Sequence, residues 1–287
     1  MTVEPAATMR GGDGVLADLL SRPRYEVVPL GGIEEDVVAN VPKDIKLTVT
    51  ASPKRGLDAT LDVTAKLAKR GFRVVPHVSA RQVVDEAHLE SILERLDGLE
   101  LREVFVIAGD ARHAAGKFAD ASALLTAIVE LGDRLDDIGI AGYPEGHPFL
   151  SDEAALLALA EKEPVASYIV TQLSFAPESM TSWVARVRSR GIQLPIYVGV
   201  PGVVDRNKLL RISLRIGVGE SVRFLRKQRN RKAMLLRRAS FRPDDLLEGL
   251  APALAKPGNG IHGFHVYTFN AVEQTERWRQ EKLVHQR

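Results

Sequence analysis

Glu26 lies in the apolar run Tyr25-Glu26-Val27-Val28, where a carboxyl is poorly hydrated. Desolvation disfavours the ionised form, so such a group keeps its proton toward neutral pH and can serve as a general acid. The alternative is a structural glutamate paired with a Lys or Arg inside the fold. Asp110, in Ile107-Ala108-Gly109-Asp110, and Gln172, closing Val170-Thr171-Gln172, offer complementary hydrogen bonding. A carboxylate accepts from an amino and ring N–H edge, and an amide both donates and accepts. Taken alone, an Asp after Gly is most often a turn or cap residue, and a strand-end Gln is often only solvated. In Gly142-Tyr143-Pro144-Glu145-Gly146-His147-Pro148 the prolines and glycine restrict the backbone, Tyr143 offers a flat face and His147 a polar contact. His77, after Pro76, reads by itself as a core or turn histidine. No third ligand at an informative spacing joins His77 and His147, so no metal site is expected.

These residues must be carried by elements, and the pattern of the chain is regular. Short Val- and Ile-rich runs at Tyr25–Val28, Lys46–Ala51, Arg73–Val78, Glu103–Ala108, Asp137–Ala141, Ser167–Thr171, Pro195–Gly199 and Gly263–Thr268 read as strands covered on both faces. Helical patterns alternate with them. Leu57–Arg70 puts Leu57, Leu61, Thr64, Ala65 and Ala68 on one stripe before a terminating Gly71. Ser151 caps a helix that opens with Asp152 and Glu153 and closes at Pro164. Only a short helix fits between Ile33 and Asn40.

Strands alternating with helices in this way predict an α/β fold, a (β/α)8 TIM barrel over residues 21–287, with residues 1–20 a flexible tail. The surplus region Val218–Leu254 predicts extra helices between strands 7 and 8. An open doubly wound sheet is the alternative, but Pro29-Leu30-Gly31-Gly32 lacks the spacing of a pyrophosphate-binding fingerprint. In a barrel, the C-terminal strand ends build the active site, and Glu26, Asp110, Tyr143, His147 and Gln172 all fall near those ends.

With no cysteine, disulfides, thiolate metal sites and cysteine nucleophiles are excluded. The 39 basic and 37 acidic residues nearly cancel, so net charge names no partner. No apolar run approaches the ~20 residues that cross a bilayer, and a cytoplasmic protein is expected. The run Arg223–Arg238 concentrates cations that suit anionic groups such as cofactor phosphates, or simply a solvated helix. Nucleic acid is not expected, because only Phe224 interleaves with those charges.

Four segments, taken in order, carry a resemblance: Tyr25-Glu26-Val27-Val28-Pro29, the Tyr143–Pro148 loop, Val170-Thr171-Gln172, and Gly263-Phe264-His265-Val266-Tyr267-Thr268-Phe269-Asn270. Together they resemble the methylenetetrahydrofolate reductase family from about Arg24 to the C-terminal helix. That family reduces 5,10-methylenetetrahydrofolate to the 5-methyl form, which supplies methionine synthesis, normally passing hydride from a nicotinamide cofactor through bound FAD. The resemblance implies Glu26 as the general acid, Asp110 and Gln172 as pterin-binding residues, and Thr50, His77, Tyr143 and His147 at cofactor-contacting positions.

The chain also departs from the pattern. Flavin-bound members carry Arg-Gly-Asp where this chain has Ala108-Gly109-Asp110. Their Arg-Lys pair facing the flavin nucleotide corresponds to Ala160 and Glu161, and their polar helix positions to Ala154 and Leu157. Leu209 is the nearest counterpart of a stacking Phe. The expectation is therefore an NADH-dependent reductase, NADPH being the alternative, that transfers hydride to the folate directly without FAD. The rivals are the ordinary flavoenzyme and a non-catalytic folate-binding partner subunit; a homo-oligomer is left open.

Overall fold

Eight parallel strands close on one another in chain order: β1 (Arg24–Val27), β2 (Lys46–Val49), β3 (Val74–Ser79), β4 (Glu103–Ile107), β5 (Asp137–Gly142), β6 (Tyr168–Thr171), β7 (Ile196–Pro201) and β8 (Ile261–Tyr267). Each lies within two residues of its expected position, and β8 pairs back onto β1 with Glu26 opposite Tyr267. The computed structural model describes residues 12–132, 134–147, 149–205, 207–209, 211–212, 240–256 and 258–285. The fold is the expected (β/α)8 barrel.

The helices are α1 (Gly12–Ser21), α2 (Ile33–Asn40), α3 (Gly56–Lys69), α4 (Glu86–Asp97), α5 (Ala121–Glu130), α6 (Asp152–Lys162), α7 (Pro177–Ser189), α8 (Asp244–Leu254) and α9 (Val272–His285). The first corrects the sequence reading. Residues 12–20 are not a tail: α1 buries Leu16 and Leu20 in the main core, and burial of two leucines outweighs its glycine-rich start. Helix α3 buries Leu57, Thr60, Leu61, Thr64 and Leu67, so its stripe is turned slightly from the expected one. Ser151 caps α6 by accepting from the Ala154 N–H at 3.2 Å. Between β7 and β8, α8 is in place; the basic run at 223–238, with most of the expected surplus, lies outside the described residues.

Side-chain alternation on β1 decides what the barrel interior receives. Tyr25 points outward, and its hydroxyl donates to Glu276 of α9 at 2.8 Å. Arg279 donates both to that carboxylate at 2.8 Å and to the Leu20 carbonyl at 3.1 Å, tying α9, α1 and β1 together. Arg24 and Glu26, on the opposite face, therefore enter the barrel. Room for large interior rings comes from glycine: a Cβ on Gly139 would sit 2.4 Å from the Tyr168 ring, and one on Gly263 2.7 Å from Tyr197.

The N-terminal mouth of the barrel is closed by a charged plug. The Arg24 guanidinium lies between the Tyr168 and Tyr197 rings, 4.0 and 4.1 Å from their centroids. It also donates to Glu103 at 2.8 Å, and Lys46 binds the other oxygen of the same carboxylate.

Candidate active site

Glu26 projects into the barrel with 14% of its side chain exposed. Its Oε2 lies 3.2 Å from His265 Nε2 and 3.7 Å from His77 Nε2. Both histidines are buried. His77 Nε2 and His265 Nδ1 have no hydrogen-bond partner among the described residues. The strand is held from the next turn of the barrel: Thr268 Oγ1 donates to the Glu26 carbonyl at 2.6 Å. Asn270, at φ 63°, exchanges two hydrogen bonds with the backbone of Val28, at 2.7 and 2.9 Å. The polar Thr-Phe-Asn end of β8 is thus a clamp on the strand that carries Glu26.

Burial pushes the Glu26 pKa up to about 7, and the nearby His77 only partly opposes it. Burial takes His77 down to about 4, with Glu26 pulling upward and His265 downward. His265 falls to about 3 through burial and the charge of Arg24. Both imidazoles are therefore neutral at pH 7, and neither supplies the positive charge that would strip the proton from Glu26. A carboxyl that holds its proton near neutrality, close to the C-terminal strand ends, is equipped to protonate a ligand.

Further residues surround this centre. Tyr267 donates from its hydroxyl to the Thr171 carbonyl at 3.0 Å. Burial, then Glu26 and Tyr143, raise its pKa well above the usual tyrosine range. Tyr143 is raised by burial and by Asp110, which brings the exposed Asp110 carboxylate into the same neighbourhood. Gly109 adopts φ +89°, and a Cβ there would meet Ser79 Oγ at 1.9 Å. Asp110 is therefore delivered by a turn only glycine can make so close to β3. Gln172 is half-buried; its N–H donates to Gly142 at 2.7 Å, and its Oε1 accepts from the Leu173 N–H at 3.0 Å.

Thr50 follows β2, its N–H donating to Val27 at 3.0 Å and its carbonyl accepting from Thr60 at 3.0 Å. His147 packs edge-on against Tyr143 with centroids 4.6 Å apart, and its Nδ1 accepts from the Phe149 N–H at 3.2 Å. Leu209 is fully buried against Leu173, Phe175, Val204 and Phe241, so it packs a second core. On α6, Ala160 packs on the main core, Leu157 is 57% exposed and Glu161 is exposed. Lys162, one position further, is lowered by burial while Asp120 and Glu161 pull it upward, and its charge reaches His147.

His265 and Tyr267 are the site residues the sequence reading did not single out. The signal was present: Gly263, His265 and Tyr267 alternate along β8 and so share the face that Glu26 meets. Among the described residues no group of three metal-ligating side chains is present, and no helix is long and apolar enough to cross a membrane.

A closed parallel barrel with a proton-holding carboxyl near its C-terminal rim defines a class of barrel proteins with an acid at the active end. The family model for methylenetetrahydrofolate reductase matches residues 34–220, about two-thirds of the chain, and the protein belongs to that family. The match spans Thr50, His77, Asp110, Tyr143, His147 and Gln172; Glu26 and β8 lie outside it. Methylenetetrahydrofolate reductase 2 of Schizosaccharomyces pombe is 23% identical, over 69% of this chain and 35% of its own length. Methylenetetrahydrofolate reductase (NADH) 1 of Arabidopsis thaliana is 25% identical, over 54% of this chain and 30% of its own. A Caenorhabditis elegans relative named for NADPH is 37% identical over 26% of this chain and 12% of its own. The chain thus spans about a third or less of the length of these relatives.

Proposed function

We propose that this protein reduces 5,10-methylenetetrahydrofolate to 5-methyltetrahydrofolate with a reduced nicotinamide nucleotide. The observation that carries this reading is the Glu26 carboxyl, held protonated to about pH 7 between two neutral histidines. Glu26 gives its proton to N10 of the folate as the bond from the methylene carbon to N10 breaks. The carbon is left as a 5-iminium cation. Hydride from the nicotinamide then adds to that carbon, giving the methyl group and the oxidised nucleotide, and solvent returns a proton to Glu26. Asp110 and Gln172 are assigned to the pterin, and Thr50, His77, Tyr143 and His147 to the hydride donor. NADH is the preferred donor and NADPH the alternative.

The positions that would meet a flavin nucleotide do not fit one. Ala108 stands in place of a guanidinium, Ala160 is turned onto the core, and Glu161 would repel a pyrophosphate. Lys162 is set between the opposing charges of Asp120 and Glu161. No step is therefore routed through flavin, and donor and acceptor carbons must meet directly, within about 3–3.5 Å.

Steady-state kinetics with both substrates varied test this. Intersecting double-reciprocal lines, deuterium passing from labelled nicotinamide to the methyl group, and rates unchanged by added FAD are expected. Parallel lines with FAD-dependent rates would make the chain a flavoenzyme. Folate binding without turnover would make it a binding subunit.

A further inference from the structure

At the end of the barrel opposite Glu26, a cavity of 390 Å³ opens onto the charged plug. Its wall includes Arg24 and Lys46, which share the single carboxylate of Glu103. The plug accordingly holds one more cation than carboxylate, and Arg24 is only 6% exposed. A buried excess charge is costly unless a counter-ion or hydrogen-bond acceptor compensates it. Tyr168 and Tyr197 supply ring faces to Arg24, which ease that cost without neutralising the charge. Arg22 and Arg73 line the same cavity; both are exposed and form no ion pair among the described residues. Asp18 and Asp44 also line it, so among the described residues, with Glu103 counted, four cations face three carboxylates. The cavity is of the size that takes small ligands, and its surplus is positive.

We propose that this N-terminal cavity is a binding site for a small phosphate-bearing anion, with Arg22 and Arg73 gripping it at the rim. Guanidinium groups suit the role, because their planar forks bind phosphate oxygens in pairs. The anion supplies the negative charge that the plug lacks. The site is separate from the folate chemistry and does not depend on which donor that chemistry uses.

Calorimetric titration of the full chain with inorganic pyrophosphate, at constant ionic strength, tests the proposal. Saturable one-to-one binding is expected. An Arg22→Ala/Arg73→Ala double variant should bind at least about tenfold more weakly. Circular dichroism should show its fold intact, since both side chains are exposed. A parallel titration with ADP separates the sources: tighter binding than pyrophosphate assigns a nucleotide phosphate, and equal or weaker binding assigns a free one. No binding of either anion, or equal binding by the folded double variant, overturns the proposal.

Discussion

Glu26 and Glu103 both point into the same barrel, one toward its C-terminal rim and one into its N-terminal mouth, and their surroundings drive them in opposite directions. Burial raises the pKa of each. At Glu103 the neighbouring Arg24 and Lys46 overrule it and hold the carboxyl below the ordinary carboxylate range. At Glu26 the neighbours are imidazoles that burial has itself made neutral, so desolvation prevails and the pKa climbs to about 7. Burial alone does not make a carboxyl an acid. The charge of its partners does, and the plug fixes a carboxylate while the rim keeps a proton.

The largest expected effect breaks the rim side of this contrast. Glu26→Gln keeps the shape and removes the proton, so turnover should fall by roughly 10²–10⁴-fold while folate affinity is retained. Steady-state rates beside a folate-binding titration measure both, and near-normal turnover would remove Glu26 as the acid.

The counterpart change breaks the plug. Glu103→Gln leaves Arg24 and Lys46 without their shared carboxylate, and breaking a buried ion pair costs about 3–5 kcal/mol. Urea unfolding should register that loss, whereas turnover per folded molecule should be preserved. A stable variant with impaired turnover would reverse the roles assigned to the two ends.

The same two variants should also respond oppositely to pH. The folded pKa of Glu26, about 7, lies above its unfolded value, so its contribution to stability is complete below the unfolded pKa and is lost as pH rises through 7. Glu26→Gln should therefore be more stable than the parent protein at pH 9, by up to roughly 3 kcal/mol, with the gap closing toward pH 4.5. Glu103, held low, stabilises above its unfolded pKa and loses that contribution as pH falls. Thermal unfolding of both variants from pH 4.5 to 9 checks the crossing, and parallel profiles would show that the two carboxyls are equivalent after all.

The sequence was most legible where periodicity speaks. Val- and Ile-rich runs located the strands, and the Ser151 cap and the short Ile33–Asn40 helix fall where local chemistry puts them. It was least legible where function depends on which strands face each other. The structural alternative considered for Glu26, a partner Lys or Arg, is realised instead at Glu103, and no local pattern distinguishes the two. His77 read by itself as a core or turn histidine and His265 only as a strand residue, because His265 reaches Glu26 through closure of β8 onto β1 and His77 from β3, across the barrel interior. Helix α1 escaped notice because its glycine-rich start hides two leucines that matter only once the helix is packed on the main core.

The smallest expected effects sharpen the rim itself, by asking how far its binding surface extends beyond the acid. Asp110 reaches the site over the Gly109 turn and acts on Tyr143, while Gln172 follows the residue whose carbonyl anchors Tyr267. Neither hydrogen-bonds or ion-pairs with Glu26 among the described residues, so neither should alter the proton-donating step. Asp110→Ala and Gln172→Ala should instead each weaken folate binding by about 1–3 kcal/mol, the cost of leaving a bound polar edge unpaired. Gln172 should show the smaller loss, because its Oε1 already accepts from the Leu173 N–H and must give up that bond to reach a ligand. Folate titrations paired with the pH profile of turnover distinguish the two kinds of residue. Weaker binding with an unmoved pH profile is the expected result, and wild-type affinity in both variants would place the pterin elsewhere in the barrel.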